Sequence, residues 1–214
     1  MINKDAIKKF ETFYRDFEDV FSKYDADFRN NIQIYIQLKG MLHEMDVSAN
    51  EDFQRLYSKF YGVRRLPVHC RREYFIRLES LKNTTDTISV GQLTKEMKPS
   101  LGKFHFSFCS KMADIIDDKR YPIFDSNVYE SFKRRLSGSR LEQCIAIYKD
   151  ITDTYKKLKN NPVLTAFKNK YRPIGMGYMK MLDALFWVIG KTEIEKRKST
   201  KSRKKRKEKT NNQG

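Results

Sequence analysis

Apolar and aromatic residues fall on helical spacing from the first turn of the chain. Ile7, Phe10, Tyr14, Phe17, Phe21 and Tyr24 recur at alternating steps of three and four, which places them on one face of a helix. Phe28, Ile32, Tyr35, Leu38, Leu42 and Met45 draw a second stripe of the same kind. Both stripes read as core-facing and need no cofactor to explain them. A third helix is predicted from Glu51 to Phe60, ending near Gly62, and Pro67 favours a restart through Arg71 to Lys82. Ser89 followed by Gln92 is a capping-box pattern, opening a short helix that Pro99 ends. Phe104 to Ile116 is apolar enough for a buried helix or a hairpin of helices, and Ser126 to Leu136 reads as helix until Ser137-Gly138. Ser139 with Glu142 is a second capping box, heading a helix to about Asn160; Asn161-Pro162 then restarts helix with a cap and a proline at its first position. A last helix runs from Gly177 to Ile189 and stops at Gly190. There is no alternating strand run and no internal repeat. The pattern predicts an all-α fold, a compact multi-helix domain over residues 1–190.

Composition changes the picture at the C-terminal end. Residues 191–214 carry 11 basic and 3 acidic residues, and from Glu195 onward there is no apolar side chain. Such a segment has nothing to bury and reads as a disordered basic tail. The whole chain of 214 residues has a net charge of +17, so the first 190 residues are basic as well, at +9. That balance attracts polyanions, nucleic acid before acidic membrane surfaces, with the tail contacting phosphates non-specifically. Three scattered cysteines, Cys70, Cys109 and Cys144, and three scattered histidines argue against a disulfide framework or a structural zinc site. No metal and no cofactor is expected. The first residues lack the apolar stretch of a signal peptide, and no window has the roughly 18 apolar residues of a membrane span. A cytoplasmic protein is the expectation.

Chemistry concentrates between Lys103 and Phe132. Ser110-Lys111 enters an apolar helix, and Tyr121-Pro122-Ile123-Phe124-Asp125 follows a short polar turn. A lysine at the start of a helix lies in the positive end of the helix dipole, and burial disfavours its charge further. Both lower its pKa, which is what an amine nucleophile requires. Asp125 lies 14 residues beyond Lys111, across one helix and a turn, so the two can meet at one cleft. The structural alternative is a surface salt bridge, and Asp125 ahead of Ser126 also suits a helix N-cap. His105, between two phenylalanines, is either packed, exposed or near a pocket.

Ser110-Lys111-Met112-Ala113-Asp114, followed by Pro122-Ile123-Phe124-Asp125, resembles the helix-hairpin-helix DNA glycosylases, particularly their 8-oxoguanine branch. In that family a lysine opens the helix after the hairpin, and a downstream Pro-Val-Asp element carries the catalytic aspartate. The resemblance makes Lys111 the nucleophile and Asp125 the aspartate of a divergent, bacterial-type member. It also implies base flipping, a carboxylate that stabilises the developing sugar cation, and a Schiff base leading to strand cleavage. Lys103, Arg64 and Arg65 become candidate phosphate contacts, and Ser107, Ser110 and Asn127 candidate DNA contacts. Phe60 to Arg64 and the closing segment Tyr178 to Lys191, with Leu182-Asp183 and Phe186-Trp187, resemble bacterial proteins that share this element.

Three functions fit these observations. One is a DNA glycosylase-like protein with lyase chemistry on damaged or modified bases, in repair or in defence against foreign DNA. The others are a non-catalytic nucleic-acid-binding helical module and a helical module that meets an acidic protein partner.

Overall fold

The apolar stripes are realised as helices in a computed structural model that describes the backbone of residues 2–63, 66–84 and 86–211, with side chains up to Thr200. The elements among the described residues are helices only. The first stripe is divided between α1 (Lys4–Phe13) and α2 (Phe17–Lys23). The break falls at Tyr14, whose hydroxyl donates to the carbonyl of Leu185 at 2.9 Å in the core. A three-residue turn keeps the next aromatic residues facing the same way, so the periodicity runs on across a break that it cannot reveal. The second stripe is the buried face of α3 (Asp25–Glu44), with Phe28, Ile32, Tyr35, Leu38 and Leu42 all inside.

α4 (Glu51–Phe60) has the predicted bounds, and the Asn50 side chain accepts from the Phe53 N–H to cap it. α5 (Val68–Lys82) follows Pro67. Ser89 caps α6 (Val90–Glu96), and Pro99, expected to end that helix, instead lies in the first turn of α7 (Lys98–Leu101). Proline lacks only an N–H that the first turn leaves unpaired anyway. Gly102, at φ 73°, turns the chain toward α8 (Phe106–Ile116). α9 (Ser126–Phe132) is one turn shorter than predicted. The reciprocal capping box of Ser139 and Glu142 opens α10 (Arg140–Leu158), and Asn161 with Pro162 opens α11 (Pro162–Tyr171).

α12 (Tyr178–Asn211) is the central element, and α9 packs along it most extensively. Phe186 brings together the rings of Phe10, Phe132 and Tyr155 at 5.2, 5.0 and 5.2 Å. Here one expectation is corrected: the helix does not stop at Gly190 but runs on past Lys191. Lys191 pairs with Asp27 at 3.1 Å, Glu193 with Lys9 at 3.3 Å, and Arg197 with Glu130. Lysine, arginine and glutamate are good helix formers, so lack of burial does not end the helix. Gly190 serves close packing: a Cβ there would collide with the backbone carbonyl of Asn127 on α9. Among the described residues, no helix is long and apolar enough to cross a membrane.

Candidate active site

α8 is buried over nearly its whole length, from Cys109 to Ile115 without interruption. Lys111 and Asp114 therefore lie in the core of the protein. Ser110 ties this helix to the segment beyond the next turn. Its hydroxyl donates to the Ser107 carbonyl at 2.9 Å and accepts from the Phe124 N–H at 2.8 Å. The Asp183 carboxyl accepts from the Ile123 N–H at 2.9 Å, and the Tyr148 hydroxyl donates to the Pro122 carbonyl at 2.9 Å. Three side chains thus hold the segment 122–124 in place and deliver Asp125 to the wall beside Lys111.

The Asp125 carboxylate has two separate engagements. Oδ1 accepts from the Asn127 N–H at 2.8 Å, making Asp125 the N-cap of α9. Oδ2 lies 3.9 Å from Lys111 Nζ. Cap and ion pair, alternatives on the sequence, coexist on one side chain. Lys111 is 5% exposed. Burial pushes its ammonium below the ordinary lysine range against the pull of Asp125; the charge of Lys180 lowers it further and that of Asp114 opposes this. The cause differs from the one the sequence suggested. Lys111 lies in the middle of α8, not at its start, so the helix dipole contributes little and desolvation dominates.

Two hollows meet at this pair. A cavity of about 130 Å³ is walled by Phe28, Phe60, Ile123, Met176 and Trp187, with Asp27, Asn31, Lys180 and Asp183 as its further polar groups. An open groove of about 730 Å³ is lined by Ser107, Phe124, Tyr129, Arg140 and Gln143. Tyr61, Lys111 and Asp125 belong to the walls of both. A cavity of about 150 Å³ is large enough for benzene, so by size the inner one has room for about one planar ring. Asp183 is buried, and burial followed by the charge of Asp114 pushes its carboxyl well above the usual range.

The remaining residues singled out on the sequence are distributed unevenly. Ser107 lines the groove. Ser110 is fully buried with its hydroxyl bonded on both sides, so it positions Asp125 and has no surface to offer DNA. Asn127 is half-buried in the first turn of α9, where its N–H meets Asp125 and its carbonyl faces Gly190; it lines neither hollow. Lys103 is exposed and lines neither hollow. Arg64 and Arg65 lie outside the described residues. His105 stacks on Phe108 with ring centroids 4.7 Å apart, as a packed residue ahead of α8. Cys70 and Cys109 are buried in the core, and Cys144 is half-buried on the groove.

Tyr61, Asp114, Lys180, Asp183, Trp187 and Arg140 complete the site, and the sequence alone assigns them no role in it. For Asp114, Lys180 and Asp183 a signal exists: each is a charged residue inside an otherwise apolar run. Fold and site together define an all-helical protein with a buried lysine beside an N-capping aspartate at the mouth of an aromatic cavity. No family model, curated relative or solved structure matches the chain.

Proposed function

We propose that the chain is a DNA glycosylase-like protein with lyase chemistry, acting on a base turned out of the helix into the aromatic cavity. The observation that carries this reading is the pairing of Lys111 Nζ with Asp125 Oδ2, 3.9 Å apart on a wall shared by cavity and groove. The inner cavity has room for one planar ring between aromatic side chains, as an extruded base requires. The outer groove carries Arg140 for a phosphate of the flanking strand, and the chain as a whole is at +17.

The chemistry is divided between the two residues of the pair. Lys111, disfavoured as a cation by burial, presents its amine lone pair to the sugar C1′. The N–C1′ bond forms as the glycosidic bond breaks, and the base leaves with the bonding electrons and takes up a proton from water. Asp125 stabilises the positive charge that develops on the sugar, then accepts the proton released by the Lys111 nitrogen. The nitrogen lone pair then opens the sugar ring: the C1′–O4′ bond breaks, O4′ keeps its electrons and takes back the proton held by Asp125, and a protonated imine joins Lys111 and C1′. Loss of a C2′ proton then expels the 3′ phosphate and breaks the strand.

Borohydride reduces such an imine to a stable amine and so tests the reading. Duplexes bearing an abasic site, or one of a panel of oxidised, alkylated and deaminated bases, should give a covalent adduct that Lys111→Ala loses. No adduct on any duplex, or an equal adduct from Lys111→Ala, would refute the lyase reading. DNA binding that persists without an adduct and weakens steeply with salt would point to the non-catalytic module instead.

A further inference from the structure

The buried face of α12 is apolar from Tyr178 to Ile189 except at Lys180 and Asp183. Lys180 Nζ lies 2.7 Å from Asp114 Oδ2 and 3.4 Å from the Tyr61 hydroxyl, which itself donates to the same Asp114 oxygen at 2.5 Å. Three ring faces surround the ammonium, those of Tyr61, Tyr35 and Phe60 at 4.6, 4.9 and 5.3 Å. The pair is withdrawn from water, with side-chain exposures of 7% and 0%. A buried ion pair is a poor source of stability, because apolar residues of the same volume often do as well or better. The Lys111 and Asp125 chemistry does not use it, yet Lys180 lines the same cavity as Lys111.

We propose that Lys180 is a positioning residue for Lys111: a fixed cation on the wall of the shared cavity that opposes a second positive charge there. The inference rests on Lys111 being an amine nucleophile, as proposed above. Two ammonium groups facing one small cavity disfavour each other's charge, and the charge settles on the better-compensated one. Lys180 has a carboxylate at 2.7 Å and three aromatic faces. Lys111 has a carboxylate at 3.9 Å and one ring, Phe108, at 5.7 Å. Lys180 is therefore the better-compensated cation, and Lys111 is the one whose charge is disfavoured.

The other groups around Lys111 do not supply this field. On its own helix it meets Asp114, and at the head of α9 Asp125; both attract a proton to it. From α12 it faces Asp183 besides Lys180, with burial holding Asp183 toward its neutral form. Tyr61 at the end of α4 is a phenol whose ionisation burial suppresses. Asp27 of α3 stands at the cavity wall, paired with Lys191. On the groove side are Tyr129 and Arg140, and Arg140 is exposed to screening by water and salt.

The test is the pH dependence of borohydride trapping on a duplex with a single abasic site, so that base release is not required. The full chain is compared with Lys180→Gln, whose amide can still donate to Asp114, and with Lys180→Arg. Wild type and Lys180→Arg should share a midpoint; in Lys180→Gln it should move to higher pH, with the rate regained on the alkaline plateau. An unmoved midpoint, or a loss equal at every pH, overturns the proposal. If Lys180→Gln fails to fold, the wild-type midpoint at about 0.05 and about 0.5 M salt decides, because a buried charge is little screened. A midpoint that shifts with salt would assign the field to exposed cations instead. A complete lack of wild-type adduct fails the lyase reading itself, whereas an adduct with an unmoved Lys180→Gln midpoint fails only the role of Lys180.

Discussion

The two oxygens of Asp125 permit an experiment that separates folding from chemistry. Asparagine is as good an N-cap as aspartate, so Asp125→Asn should keep the bond from the Asn127 N–H while removing the charge that faces Lys111. Alanine removes both. Unit charges about 4 Å apart interact by about 4 kcal/mol at an effective dielectric constant of about 20, and the Asp125 side chain is only 21% exposed. A sugar cation held beside Lys111 would feel the carboxylate at a similar distance. At about 1.4 kcal/mol per tenfold, loss of that charge should slow the chemical step by about 10²–10³-fold. Asp125 also draws a proton to Lys111, so its removal moves the acid limb of the rate profile to lower pH while the plateau falls. The slowing therefore cannot come from protonation of the nucleophile. Single-turnover base release on a duplex that still carries the target base measures the rate, and thermal melting measures the cap. Asp125→Asn should melt close to wild type, and Asp125→Ala about 1 kcal/mol lower, or about 2–4 °C for a domain of this size. A rate for Asp125→Asn within tenfold of wild type would refute the electrostatic role, and equal melting of the two variants would refute the cap.

Gly190→Ala should destabilise the protein by about 1–3 kcal/mol, although alanine is the better helix former by about 1 kcal/mol. The added Cβ would stand 2.9 Å from Asn127 Cα and closer still to its carbonyl; a raised melting temperature would show that α9 and α12 do not approach so closely. Asp183→Asn should be stabilising by about 1–3 kcal/mol at pH 7, since it keeps an acceptor for the Ile123 N–H and needs no proton to enter the core as a neutral group. Burial raises the folded pKa of Asp183 above its unfolded value, so its stabilising contribution is complete at low pH and is lost as pH rises through the folded value. The advantage of Asp183→Asn should therefore grow from pH 4 to pH 7, and an advantage independent of pH in melting experiments would refute the assignment.

Most helix boundaries are legible in the sequence because the forces that set them are local. The capping box of Ser139 and Glu142, the Asn161-Pro162 start and the limits of α4 depend on bonds within one turn. The stripes from Phe10 to Leu42 identify core positions because side chains three and four residues apart share a helix face. Lys111 and Asp125, 14 residues apart across one turn, are near enough in the chain for their meeting to be anticipated. Local rules fail where distant packing decides. The break after α1 depends on a Tyr14 bond across 171 residues, and Gly190 reads as a stop until α9 is seen against it. The reason Lys111 resists protonation is likewise hidden, since sequence locates a helix more readily than it measures the water around one side chain. Lys180 reaches Asp114 across 66 residues and Tyr61 across 119. No spacing rule links them, and only the closing of α12 over α8 and α4 brings those charges and rings to one cavity wall.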